Sequence, residues 1–347
     1  MKIEKIFVAS PGEKDNGGGE SLHQLVDACN RLGYDAYIYY FDSQRSSVLE
    51  KMRIYNVKVA TEVEDKESNL LICPEMYTTP LRDYQYIRKG IWFLSLDYYL
   101  RSLPVYRTNY VLGKWKLPKI FFPIFFPAVL MKTNATFRSF QFKKDRVKYF
   151  LYNVEYARLY IEKECQYEYV AQYLCGPINQ AYFTDNDSFC QKERIVAYNP
   201  KKANGFTKKI IDYVNTKNPD ISFVPIQNLD QSGVKELLGR ASVYMDFGFF
   251  PGPERIPREA AIMRCNIITS RLGSAANDID VPINPKYKFD LKDDNIPHIA
   301  DCIVDMVNDY SDYVEDYEEY RRKVRAQKKD FDENVAKFLE SIENDKA

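Results

Sequence analysis

Histidine is almost missing from this 347-residue sequence, which holds only His23 and His298. That nearly excludes His-rich metal centres and Ser-His-Asp chemistry. Disulfide frameworks and zinc ribbons are disfavoured as well. The seven cysteines (29, 73, 165, 175, 190, 265 and 302) are odd in number and never spaced Cys-x-x-Cys, which fits reduced thiols in a cytoplasmic protein. No run reaches the ~18–20 apolar residues a membrane-spanning helix needs. The opening Met1-Lys-Ile-Glu-Lys-Ile-Phe-Val-Ala lacks the basic-then-apolar layout of a secretory leader. Without a secretory route the sequons Asn134-Ala-Thr136 and Asn186-Asp-Ser188 carry little meaning. Net charge is missing too: 49 Lys+Arg balance 49 Asp+Glu, which argues against a dedicated nucleic-acid binder. Glycine numbers only 14, so each one is expected to answer a backbone need.

What is present is an ordinary globular composition, 45% hydrophobic and 28% charged, at a length that suggests two domains. The charge is segregated. Residues 101–150 carry eleven Lys/Arg and one acid, Asp145, whereas residues 301–347 carry fourteen acids and eight bases. Within the basic stretch lies Ile120-Phe-Phe-Pro-Ile-Phe-Phe-Pro-Ala-Val-Leu-Met131, whose prolines at 123 and 127 argue against a regular helix. Apolar wedges flanked by cations suit peripheral contact with an anionic membrane surface across 101–148. A core-packing loop beside a solvated basic face, or a groove for an anionic polymer, fits the same residues.

The chain order reads as two α/β halves. Lys5–Ser10, Asp35–Phe41, Leu70–Pro74 and Ile91–Leu96 have the profile of strands, and a glycine-rich loop, residues 13–20, precedes a helix ending at Gly33. The rhythm restarts near residue 190. Strands are expected at Arg194–Tyr198, Ile221–Ile226, Ser242–Phe247 and Asn266–Thr269, with helices between them. From about residue 298 onward the pattern is helical. This alternation predicts α/β architecture with two Rossmann-like, doubly wound domains facing across a cleft. The expected spans are 1–185 for the first domain and 190–315 for the second. Residues 316–347 would form a helix packing back on the first.

Residues 244–275 hold most of the chemistry. A strand runs into a loop with Gly248 and Gly252, then into a helix with Pro257 suited to its first turn. At the carboxyl end of a parallel strand, that helix start favours a phosphate. Arg255 and Arg258, three apart, would form a fork for diphosphate oxygens, and Glu259 is suited to ribose hydroxyls. The next strand ends in Arg271-Leu-Gly-Ser-Ala275, a second small-residue loop presenting Gly273 and Ser274.

This order of strand, Gly/Pro loop, Arg-Glu-Ala-Ala helix, strand and Gly-Ser-Ala loop resembles the donor site of GT-B fold glycosyltransferases. It is most similar to the retaining, family-4-like group of polysaccharide-assembly enzymes. Gly17-Gly-Gly-Glu20 resembles their Gly-Gly loop, which brings in Gly18 and Gly19, and Glu259 matches their ribose-binding glutamate. The sequence departs from the group at two points. The position of its first glutamate is Pro251, with Glu254 nearby. The Arg…Lys pair after the first strand of the second domain is replaced by Asn199-Pro-Lys201-Lys202.

The resemblance implies a nucleotide-sugar donor, a glycan or lipid-linked glycan acceptor and no metal or other cofactor, with Arg and Lys stabilising the leaving diphosphate. Asp185-Asn-Asp187, Asp278-Ile-Asp280 and Asp330-Phe-Asp332 match the metal-binding Asp-x-Asp string, as chance alone would supply in a chain with this many aspartates. If the transfer inverts stereochemistry it needs a general base, for which His23, Glu20, Glu75 and Asp97 are candidates; His23 also fits a packed helix face, and Asp97, better placed at the cleft edge, also fits a helix or turn cap. An epimerase or phosphorylase on the same fold, or a non-catalytic glycan-binding relative, are the alternatives.

Overall fold

A computed structural model describes residues 1–12, 17–43, 45–132, 142–183 and 191–345. Residues 13–16 of the glycine-rich loop, both sequon asparagines, Arg138 and the Asp185-x-Asp187 string lie outside the described residues. The chain divides into two compact units, Met1–Gly176 with Lys329–Ala347, and Pro177–Lys328. The division thus falls before residue 185, and inside the last helix rather than ahead of it.

Unit 1 is a sheet of β1 (Lys5–Ser10), β2 (Asp35–Tyr40), β3 (Lys58–Ala60), β4 (Leu70–Pro74), β5 (Arg88–Phe93), β6 (Val147–Tyr152) and β7 (Val170–Tyr173). All its pairings are parallel, in the order β3-β2-β1-β4-β5-β6-β7. Helix α1 (Gly17–Arg31) connects β1 to β2. It starts earlier than the sequence suggested, so Gly18 and Gly19 sit in its first turn and not in a loop. Helices α2 (Leu96–Ser102), α3 (Pro104–Lys114) and α4 (Phe122–Lys132) lie between β5 and β6, and α5 (Glu155–Glu164) between β6 and β7.

The Phe/Pro run is helical after all. Pro123 falls in the first turn of α4, where a missing N–H costs nothing, and Pro127 removes a single bond, that to the carbonyl of residue 123.

A parallel sheet is buried on both faces, and β1 illustrates how. Ile6 and Val8 enter the core formed with Leu22, Leu25 and Val26 of α1, while Phe7 and Ala9 enter the opposite core with Ile91, Phe93 and Phe150.

Unit 2 holds β8 (Glu193–Tyr198), β9 (Ser222–Pro225), β10 (Ala241–Asp246), β11 (Asn266–Ser270) and β12 (Lys288–Phe289), all parallel, in the order β12-β11-β10-β8-β9. Its helices are α6 (Gly205–Lys217), α7 (Gln231–Arg240), α8 (Arg255–Ile262), α9 (Ile296–Asn308) and α10 (Tyr310–Val314). Asn204 and Thr207 make a capping box at α6, and the Asp230 carboxylate accepts from Gly233 N at α7.

The last helix, α11 (Glu318–Asn344), contributes to both units. Its start is pinned in unit 2 by the fully buried Arg321, which donates to Val314 O at 2.7 Å and to Glu318 at 2.7 Å. Further along, Phe331, Val335, Phe338, Leu339 and Ile342 form a helical stripe in the unit 1 core with α1. No described helix is long and apolar enough to cross a membrane.

Candidate functional site

In a doubly wound sheet, ligands gather at the carboxyl ends of the strands where the chain order reverses. In unit 2 that point lies between β8 and β10. The residues just past these two strands are Asn199-Pro-Lys-Lys202 and Asp246-Phe-Gly248. They touch closely: a Cβ on Gly248 would stand 2.5 Å from Lys202 Cβ, so only glycine fits.

Lys202 is held among carboxylates and an aromatic face. Its Nζ lies 2.6 Å from Glu254 Oε2 and 4.6 Å from the Phe250 ring centroid. Asp246 faces the same ammonium, accepts from Tyr244 Oη at 2.9 Å and from Gly248 N at 2.9 Å, and burial raises its pKa. Burial also raises the pKa of Glu254, against the opposing pull of Lys202. Glu254 immediately precedes α8 with φ +38, a left-handed value uncommon for a side chain of this kind. Asp246 closes an all-buried strand in the sequence pattern, but its meeting with Lys202 depends on strand order.

The two arginines do not form a fork. Arg258 is buried, donating from Nε to Glu254 O at 2.9 Å and from its terminal nitrogen to Gln327 Oε1 at 2.9 Å. Arg255 is half-exposed and lies 3.6 Å from Glu259 Oε1. Neighbours on one helix therefore take different roles: Gln327 of α11 accepts from Arg258, whereas Arg255 sits beside Glu259. Glu259 is buried and shares a hydrogen bond with the phenol of Tyr182, a partner that spacing alone did not indicate.

The small-residue loops brace each other. Gly273 has φ +66 and bridges Phe250 in parallel register; a Cβ there would meet Phe250 O at 2.1 Å. Ser274 Oγ donates to Gly252 O at 2.7 Å, and Ser270 Oγ to Gly248 O at 2.8 Å. Lys201 directly precedes Lys202. With Pro200, Ile226, Gln227, Asn228 and Leu229 it lines a cavity of about 400 Å³ at the carboxyl ends of β8 and β9.

In unit 1 the order reverses between β1 and β4, which brings Gly12 and Glu75 to the corresponding edge. Glu75 is buried, accepts from Leu94 N at 3.0 Å, and its pKa is pushed up to about 7 by desolvation. Asp97, in the first turn of α2, is buried and accepts from Tyr156 Oη at 2.7 Å. Glu20 accepts from Tyr55 Oη at 2.9 Å.

His23 presents no ring nitrogen to a substrate. It is fully buried, with Nδ1 2.7 Å from Gly19 O and Nε2 2.8 Å from Tyr40 Oη, and burial lowers its pKa. It packs on the helix face, the structural one of its two sequence readings.

Among the described residues no group of three or more His, Cys, Asp or Glu is arranged to hold a metal ion. Asp278 pairs with Lys288, Asp280 accepts from Asn277, and Asp332 binds Arg31, so these members of the two described Asp-x-Asp strings have local partners.

No family model matches the sequence, and no curated protein matches it. Solved structures do. The pneumococcal O-GlcNAc transferase GtfA, solved with UDP and GlcNAc, superposes at TM-score 0.63 and 8% identity, covering 99% of this chain and 100% of that one. Sucrose-phosphate synthase from Thermosynechococcus elongatus gives 0.58 at 11% identity, covering 98% and 97%. TarM gives 0.57 at 12% identity over 80% of this chain, which spans only 56% of the length of TarM. Two Rossmann-like units, each with a parallel sheet and helices, and these similarities define the GT-B fold of glycosyltransferases.

Proposed function

We propose that this protein transfers a sugar from a nucleotide-sugar donor to a glycan or lipid-linked glycan acceptor. The observation that carries the reading is the cluster at the reversal point of unit 2. Lys202, Glu254 and Asp246 meet there beside the braced loops of Gly252, Gly273 and Ser274.

In this reading Lys201 and Lys202 draw the diphosphate, and the start of α8 adds the positive end of its helix dipole. Glu254 gives up Lys202 to the incoming phosphate, and Arg255, half-exposed, adds a third cation. Glu259 accepts from ribose hydroxyls in exchange for Tyr182, and the cavity beside Lys201 receives the base. Charge stabilisation of the leaving diphosphate by these side chains needs no metal. In unit 1, Glu75 has the protonation behaviour of a general acid–base group, since a pKa near 7 lets it both take and return a proton. Asp97 is positioned by Tyr156 as the second carboxylate. The reduced-thiol pattern of the sequence supports a cytoplasmic setting.

Thermal stabilisation by a panel of nucleoside diphosphates and nucleotide sugars, with and without EDTA, tests this. At one hundred times its dissociation constant the right ligand stabilises by about 2.7 kcal/mol. We expect one base to be preferred, no effect of EDTA, and loss of the shift in Glu259→Ala and Lys202→Ala. A protein indifferent to the entire panel is not a nucleotide-sugar transferase. Pro251, standing where the similar enzymes have a glutamate, then favours a glycan-binding protein that kept the fold.

A further inference from the structure

We infer that the excursion formed by α2, α3 and α4 is a docking surface for an anionic lipid bilayer. β5 and β6 are adjacent parallel strands, and a crossover between such strands needs only about a dozen residues. Here residues 94–146 intervene.

The α4 part of the excursion keeps its apolar side chains outside, whereas Leu96, Tyr99 and Leu112 of α2 and α3 are buried. From Phe121 to Met131 every residue is exposed or half-buried and none is buried, although nine of the eleven are apolar and the other two are prolines. Ile120 is 79% exposed, Met131 77%, Ile124 68% and Trp115 59%. The rings meet one another instead of a core: Trp115 lies 5.6 Å from Phe125, and Phe122 lies 5.2 Å from Phe126. A surface of this kind is covered in its working state.

Charge identifies the cover. Between residues 98 and 144 there are nine Lys/Arg and no acid. Arg101, Arg107, Lys114, Lys116 and Lys119 are all exposed around the apolar helix. A second copy docked symmetrically would set these cations against themselves with no carboxylate of the segment to offset them. A soluble anion would use the cations and leave the Phe, Ile and Met side chains in water. An anionic bilayer takes both, with headgroups meeting the ammonium and guanidinium groups and the apolar side chains sinking into the acyl boundary. Helix α4, with eleven residues, is about 16 Å long, half of the ~30 Å hydrocarbon core, so it lies in the interface and does not span.

Vesicle co-sedimentation of the whole protein tests the surface, with phosphatidylcholine alone and with roughly 30% phosphatidylglycerol added. Binding to the anionic vesicles is expected, weakening as salt rises from about 0.1 M to about 0.5 M. Each cation removed lowers the partition about five-fold, so Lys114→Ala/Lys116→Ala/Lys119→Ala loses about two orders of magnitude. Ile120→Ser/Ile124→Ser/Met131→Ser keeps every cation and also loses binding. All six positions are exposed, so unchanged melting temperatures confirm intact folds. Equal binding to both vesicles, binding to neither, or full binding by the serine variant would overturn the inference. So would a dimer in light scattering that the serine variant dissolves. The nucleotide-dependent melting shift is read in parallel and stays the same in all three proteins, so failure here leaves the transferase reading standing, and the converse also holds.

Discussion

Glu75→Gln isolates the cost of holding one ionised carboxylate inside unit 1. The side chain is buried at the end of β4 and its oxygen accepts from Leu94 N, a bond that an amide oxygen keeps. Desolvation lifts its pKa from the ordinary 4.5 to about 7. A group whose folded pKa lies above its unfolded one contributes stability below the unfolded value and loses it as pH rises through the folded value. Wild type should therefore lose stability relative to the glutamine variant between pH ~4.5 and ~7, by about 3 kcal/mol in all, with constant differences on either side. Urea unfolding at intervals across this range measures it. Both tryptophans, Trp92 and Trp115, lie in unit 1, so indole fluorescence follows this unit selectively. Parallel stability curves for the two proteins would refute the reasoning, because they would mean that Glu75 ionises as it does in water. If the group also serves proton transfer, the transfer rate of the variant loses the pH limb near 7.

Four further outcomes follow from contacts described above. Gly273→Ala places a methyl 2.1 Å from Phe250 O at a left-handed backbone, so we expect about 1–3 kcal/mol of destabilisation in urea melts and a weaker nucleotide shift. Phe338→Ala empties a buried site in the unit 1 core and should cost about 3–5 kcal/mol by tryptophan fluorescence. His23→Gln should lower stability by about 1–3 kcal/mol yet leave the pH profile of transfer unchanged, since the ring is enclosed and neutral. Arg258→Ala should loosen Glu254 as well as α8, so its nucleotide shift falls together with its melting temperature, whereas Arg255→Ala affects the nucleotide shift alone.

Most strands near the centre of each sheet were legible because burial on both faces leaves an unbroken apolar run, as in Leu70–Pro74 and Ala241–Asp246. The ones missed have physical reasons. β3, β7 and β12 are edge strands of three, four and two residues, too short to show a period. β6 was hidden among the cations of the 101–150 stretch, with Lys148 and two tyrosines interrupting its apolar run. In α4 the prolines argued against a helix that nevertheless forms, because Pro123 falls where helices tolerate it and Pro127 removes a single bond.

At the candidate site, local spacing identified α8 and the loop of Gly273 and Ser274. It did not separate Arg255 from Arg258, because their difference is set by Gln327, far along the chain. Asp246 became visible only once strand order put it beside Lys202.

Helix α11 has a consequence for the order in which this protein is made. Translation delivers β1 to β7 first, yet the face of that sheet bearing Ile6, Val8 and Trp92 is completed only by Phe331, Val335, Phe338, Leu339 and Ile342. Unit 2, contiguous in sequence from residue 177 to 328, has all its parts earlier than the unit that precedes it on the ribosome. The nascent amino-terminal half must therefore wait with an open apolar face, a state that invites chaperones during synthesis. A premature stop that spares every donor-site residue would still leave the other half unfinished.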